Sequence, residues 1–376
     1  MDKLLRPAWV EIDLDGARYN AQRLKWFVGP HVHLIAVLKA DALGHGMIAL
    51  SKCLSRNGVE MIGVGDLAEA IKIRNEVSKS LPILLLPSLA VGDYIEVMFE
   101  NMIIPSLSNF PEAQAFVEKC SGRDPFPVFV KVDTGYLRAG VRWSECAALC
   151  EWVVRSGRLR LQGLYTHMAA PEDQTFTREQ FDRFQAVVRT LEDRGIEVPW
   201  RCVASTAVVL QYPEMHLNCV DCGRLFYGIR YLPDSLIDLG LSRIFKAFKT
   251  RIIQIRRAEE GDTVGYGRTY RMKRTGTLGL IPVGWSHGYP SSLANRGEAL
   301  IKGRRVKVIG SVATEHSILD ITDLEGEVLA GEEVVLIGNQ GNEKITLEEV
   351  SSLSGVSMIQ LTTAIGNSVS RIYVGE

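Results

Sequence analysis

No apolar run in this sequence approaches the roughly 20 residues that a bilayer-spanning helix needs, and no charge run is long enough to form a tail. Lys and Arg (43) are interspersed among Asp and Glu (44), leaving a net charge of −1. Without a basic stripe, neither nucleic acid nor an anionic membrane surface is expected as a partner. The opening residues, Met1 to Arg6 and then Pro7, lack the apolar stretch of a signal peptide. The expected location is the cytoplasm. Seven cysteines, an odd number scattered over 376 residues, do not suggest a disulfide framework. Cys219-Val220-Asp221-Cys222 has the spacing of half a zinc site, and Cys146 and Cys150 have helical spacing. No second cysteine or histidine pair completes a four-ligand set, so reduced, mostly buried thiols and no metal are expected.

What the chain does have is apolar content, 46% of its residues. That is enough for sizeable cores, and the length exceeds what one core usually supports, so two domains are expected. Short apolar runs recur at His33–Leu38, Met61–Val64, Ile83–Leu86, Met102–Ile104, Val128–Val132, Leu161–Tyr165, Trp200–Val203 and Leu217–Val220. Between them lie helical patterns such as Asp66–Asn75, Pro111–Lys119, Ser144–Ser156 and Thr177–Arg194, with Ser144 and Thr177 as expected N-caps. Eight strands alternating with helices predict an α/β fold with an N-terminal (β/α)8 TIM barrel, a doubly wound open sheet being the alternative.

After Ser242 the rhythm becomes that of a mainly β domain. Runs at Thr250–Arg256, Thr277–Pro282, Val306–Val312, Ser317–Ile321 and Glu333–Ile337 are divided by Gly-containing turns, and one short helix is expected at Leu347–Leu353. The domains are therefore set at 1–241 and 242–376. The alternating stretch Ala8–Leu14 belongs to either, so residues 1–14 are open to packing with the C-terminal domain.

The chemistry begins where Leu34-Ile35-Ala36-Val37-Leu38 stops at Lys39-Ala40-Asp41-Ala42-Leu43-Gly44-His45-Gly46. A lysine straight after a buried strand stands at the C-terminal mouth of a barrel, where such folds place their sites. Desolvated there, an amine gives up its proton and forms an imine with an aldehyde. By position alone, a lysine snorkelling to water explains it equally well.

The surrounding residues decide between these readings. Lys39–Gly46 resembles the lysine motif of the alanine racemase family, fold type III pyridoxal phosphate enzymes, and the resemblance runs along nearly the whole chain. It includes Trp9–Leu14 with Asn20, Lys131–Gly135 continuing at Arg138–Val141, Gly163–His167, Gly265–Tyr270, and Ile281–Gly284 with Gly288-Tyr289. The resemblance implies pyridoxal 5′-phosphate as cofactor, a small amino acid as substrate, and a homodimer in which each site is shared across subunits. Lys39 would carry the Schiff base and act as base on one face, and Tyr266 would be the base on the other. Two flanking bases suit a reaction that takes the α-proton from one side and returns one to the other. Arg138 would help hold the cofactor ring oxygen and the substrate carboxylate. Lys131 matches a lysine that is carbamylated in some members and orients that arginine. His167 would lie behind the cofactor, and Ser205 and Gly223 would hold its phosphate.

The departures mark this chain as a divergent member. Asp221 stands where the family usually has an arginine facing the pyridine nitrogen. A carboxylate there favours a protonated ring, unless an Asp221–Arg201 ion pair neutralises it. Leu43 and Asn367 replace phosphate-binding tyrosines, with Arg224 the candidate to compensate. Ala204 replaces an asparagine, and Trp285 replaces a tyrosine at the partner-side entrance. Thr314 and Glu315 replace a methionine and an aspartate near the substrate carboxylate. The leading expectation is an isomerase, a racemase or epimerase with Lys39 and Tyr266 as bases, its substrate not fixed as alanine. The alternatives are another α-carbon reaction (retro-aldol cleavage, decarboxylation or transamination) and a non-catalytic cofactor-binding protein.

Overall fold

The computed structural model describes residues 6–87, 94–120, 124–229 and 237–375. They form two compact units. One holds Gly16–Ala40 and Met47–Arg243; the other holds Met1–Asp15, Asp41–Gly46 and Ile244–Glu376. Among the described residues no helix is long and apolar enough to cross a membrane.

The first unit is a closed parallel barrel of eight strands. In chain order they are His33–Val37, Met61–Val64, Ile83–Leu85, Ile103–Leu107, Phe126–Asp133, Leu159–Tyr165, Trp200–Ser205 and Cys219–Cys222. Each pairs with its sequence neighbour, and Cys219–Cys222 closes the ring on His33–Val37. Met61–Val64 and Ile103–Leu107 are buried at every position, as strands covered on both faces must be. One interior cluster takes one residue from each strand: Ile35, Met61, Leu84, Ile104, Phe129, Tyr165, Cys202 and Cys219. The two thiols fill barrel volume beside the larger Phe129 and Tyr165, which is the packing expected of a filled barrel rather than a pore.

Helix ends follow capping chemistry. Asp66 accepts from Ala68 N, and Asn109 from Glu112 N. The helix expected to start at Thr177 starts at Gln174 instead, because Asp173 already supplies the cap to Phe176 N. Thr177 is buried and donates its hydroxyl to Ala170 O. Ser144 likewise lies inside its helix, which begins at Trp143 with Arg142 as its uncapped entry residue. The last barrel strand is displaced two residues from Leu217–Val220, and this puts Asp221 on the strand rather than after it.

The second unit is a sheet in the order Gln254–Ala258, Gly276–Ile281, Ser317–Asp320, Arg304–Ile309, Glu298–Ile301, Glu333–Gln340, Phe245–Arg251, Ala8–Asp13 and Ser370–Val374. Ala8–Asp13 pairs antiparallel with Phe245–Arg251 and parallel with Ser370–Val374. The expected run Thr250–Arg256 is two strands, since the chain turns at Ile252 and Ile253. A second helix, Met358–Gly366, follows Leu347–Ser354. Its start is a capping box between Ser357 and Gln360, a signal present in the sequence that the sequence reading did not use.

Candidate active site

Lys39 follows the strand His33–Val37 and opens a single helical turn, Lys39–Leu43. The turn is left-handed, with φ of 56°, 50°, 57° and 52° at Ala40, Asp41, Ala42 and Leu43. Left-handed helix costs an L-residue roughly 1–2 kcal/mol each, so the turn needs outside support. Arg371 provides it, pairing with Asp41 at 2.5 Å and donating from Nε to Gly44 O at 3.0 Å. Gly44, at φ +85°, lies so close to the Thr362 carbonyl that a Cβ would overlap it. His45 is fully buried, with Nδ1 2.8 Å from Ala42 O, and burial pulls its pKa down to about 4.

Within the barrel unit, the charges of Lys131, Arg138, Lys39 and Arg224 all reach His167, and the last strand brings in Asp221. Burial, followed by the charges of Lys131, Arg138, Lys39 and Arg224, lowers the His167 pKa to about 4, so its imidazole is neutral near pH 7. Burial raises Asp221 to about 7 against the opposing pull of Lys131 and Lys39. Its Oδ1 is sealed from solvent with no hydrogen-bond partner. The Asp221–Arg201 ion pair does not form; the Arg201 guanidinium meets Glu192 at 3.2 Å. Lys131 lies 4.6 Å over the Tyr165 ring and is brought down to about 8 by desolvation. The Tyr165 hydroxyl donates to Ser106 Oγ at 2.8 Å. Ser205 ends its strand beside Asp221 in register, and Gly223 follows the last strand. Ser205 precedes a short helix, Thr206–Gln211, and its hydroxyl makes no capping bond there. Ala204 is buried.

Two residues that the sequence reading passed over shape this mouth. Gln180 is fully buried on the helix Gln174–Asp193. It donates to Thr134 Oγ1 and His167 O and accepts from Ala169 N. Tyr136 carries the Arg138 guanidinium on its ring face, 4.3 Å from the centroid. Tyr136 and Leu137 fall in the gap between the matched stretches Lys131–Gly135 and Arg138–Val141, and that gap was the signal available.

In the β unit, Tyr266 sits 78% exposed on a turn between Gly265 and Gly267, both at positive φ, and its N–H donates to Ser311 Oγ at 2.9 Å. Trp285 is exposed and its N–H bonds Ala313 O. Ser286 bonds Thr314 O through both N–H and Oγ. The loop Gly310–His316 therefore gathers Tyr266, Trp285, Thr314 and Glu315. Glu315 pairs with Arg6 at 3.2 Å. Asn367 accepts from Arg371 at 3.1 Å, and Leu43 belongs to the left-handed turn.

The family model described as "Alanine racemase, N-terminal domain" matches residues 12–231, and "Alanine racemase, C-terminal domain" matches 246–373. This chain belongs to the alanine racemase family. An alanine racemase of Halothermothrix orenii is 30% identical over 374 residues, covering 99% of this chain and 98% of that protein. The solved alanine racemase of Clostridium difficile 630 superposes with a TM-score of 0.90 at 27% identity, covering 99% of this chain and 97% of the other. At 23% identity and TM-score 0.82, covering 98% and 99%, the Bartonella henselae structure shares the fold; that protein was solved with covalently bound pyridoxal phosphate.

Proposed function

We propose that this protein is a pyridoxal phosphate-dependent amino-acid racemase or epimerase that works with two bases, Lys39 and Tyr266. The observation that carries the reading is the set of cations around neutral His167 (Lys39, Lys131, Arg138 and Arg224), two of which, Lys131 and Lys39, also act on Asp221 with its unsatisfied Oδ1. This donor set fits the cofactor. A positive field suits a phosphorylated ligand, and a sealed carboxyl oxygen without a donor suits the N–H of a protonated pyridine ring. Ser205 and the N–H of Gly223 would hold the phosphate with help from Arg224.

When bound, pyridoxal phosphate supplies an electron-accepting ring that stabilises charge at the substrate α-carbon. Lys39 would hold the cofactor and move the α-proton on one face. Tyr266 would move it on the other through its phenol oxygen. Arg138 would take the substrate carboxylate with a planar, permanently charged fork, and Trp285, Thr314 and Glu315 would line the approach from a partner's β unit. His167, kept neutral by burial and then by its cationic neighbours, would back the ring without adding charge.

The reading includes a homodimer with Tyr266 given to a partner's site, supported by the outward exposure of that tyrosine. It includes a cytoplasmic location, supported by seven cysteines, none of them in a disulfide among the described residues. Asp221 favours one second reading, another α-carbon reaction on the same scaffold, because a proton held at the ring nitrogen strengthens the electron sink.

Borohydride reduction of the holoenzyme followed by peptide mass mapping is expected to label Lys39; a label elsewhere overturns both readings. Incubation with amino acids in D2O separates them. Exchange with inversion supports racemisation, and exchange with new products supports the second reading. Asp221→Arg is expected to abolish any such product while cofactor stays bound.

A further inference from the structure

We propose that Tyr136 is the positioning residue that sets the direction of the Arg138 guanidinium, and through it the seat of the amino-acid carboxylate. The inference rests on the racemase reading, in which Arg138 meets that carboxylate. Asp133 Oδ1 accepts from Gly135 N at 2.9 Å and from Leu137 N at 3.1 Å, which fixes the backbone of the loop. Leu137 turns left-handed at φ 57° with its side chain 87% exposed, an arrangement that gains nothing from burying the leucine. What the turn achieves is to fold Arg138 back over Tyr136. The guanidinium carbon lies 4.3 Å from the ring centroid, and Nη1 is 3.4 Å from the phenol oxygen.

The ring itself is braced. Its centroid is 5.5 Å from that of His167, at an interplanar angle of 62°. His167 is tied in turn through its carbonyl to Gln180, which also holds Thr134 at the root of the loop. A guanidinium over an aromatic face is drawn to the ring's negative quadrupole across its whole plane, an attraction that a single hydrogen bond does not supply. Lys131, the other residue that could orient Arg138, is engaged elsewhere. Its Nζ lies over the Tyr165 ring at 4.6 Å and feels the attraction of Asp221. A cation suits both neighbours, whereas a carbamate at that place would face the negative ring face and a second carboxylate.

Propionate, a carboxylate without the reacting amine, is the probe, and its binding is read from the visible absorbance of the holoenzyme. Lys39 labelling and turnover of the wild type test the racemase reading; the Tyr136 series tests this inference even where turnover is absent. Tyr136→Phe is expected to bind propionate within about twofold of wild type, because the ring face remains. Tyr136→Leu is expected to weaken propionate binding and raise the amino-acid KM about fivefold, with kcat changed less. Equal losses in Tyr136→Phe and Tyr136→Leu, or an unchanged Tyr136→Leu, overturn the inference. So does bicarbonate-dependent propionate binding in the wild type, which would make a carbamate on Lys131 the orienting group.

Discussion

Asp221 and His167 lie in the same positive field yet respond to burial in opposite senses. Folded Asp221, at about 7, keeps a proton that the unfolded chain releases near 3.8, so its contribution to stability falls as pH rises between those values. Folded His167, at about 4, refuses a proton that the unfolded chain accepts below 6.5, so its contribution falls as pH drops through that range. His45 behaves like His167. Asp221→Asn in the apoprotein is therefore expected to make stability climb more steeply from pH 4.5 to 6.5, as read from urea midpoints. His167→Gln is expected to flatten the same curve. A pH-independent difference between Asp221→Asn and wild type would remove the basis for a buried, proton-holding carboxyl. At this scale the sequence was informative wherever residue type names the chemistry: Lys39, Arg138, Tyr266 and Asp221 could all be singled out. It was silent on Tyr136, whose importance lies in what its ring touches, and touching is a product of the loop.

The helix Gln174–Asp193 illustrates how an element reaches the site without entering it. Gln180 bonds two loops that leave adjacent barrel strands, at Thr134 and at His167. Gln180→Leu keeps helix propensity and removes three bonds from a sealed place. A loss of about 2–3 kcal/mol is expected, with Arg138 and His167 both less well held; urea unfolding and propionate binding of the holoenzyme should fall together. Stability loss with unaltered binding would confine Gln180 to the fold. Elements were legible where hydrophobic period and length agreed, as in the eight barrel strands. They were misread where a nearer cap prevailed, as Asp173 did over Thr177, or where a two-residue turn split one apolar run. The left-handed turn after Lys39 gave no sign at all, since Lys-Ala-Asp-Ala-Leu is also a good right-handed helix former.

At the scale of the molecule, the proposed bases lie in different compact units of one chain. If each site draws Tyr266 from a partner, mixing inactive Lys39→Ala with inactive Tyr266→Phe subunits rebuilds one intact site per mixed dimer. Random reassortment is expected to recover about a quarter of wild-type activity. No recovery, with mixed dimers demonstrated by mass, would mean that each chain uses its own tyrosine. The sequence announced two domains through its change of rhythm near Ser242. It could not announce that Asp41–Gly46 clusters with the β unit, because that depends on contacts with residues such as Arg371 and Thr362 far along the chain.

Those contacts set a timetable. The bond from Arg371 to Gly44 joins residues 327 apart, so Lys39 leaves the ribosome long before the segment that holds its turn left-handed. Closing so large a loop is slow compared with forming a helix or a local strand–helix–strand unit of the barrel. A nascent chain stalled before Met358 should then carry its lysine on an unsupported segment and take up no borohydride-fixable cofactor at Lys39, while chains released beyond Tyr373 should. Cofactor loading would in that case act as a report that translation has delivered the far end of the sheet.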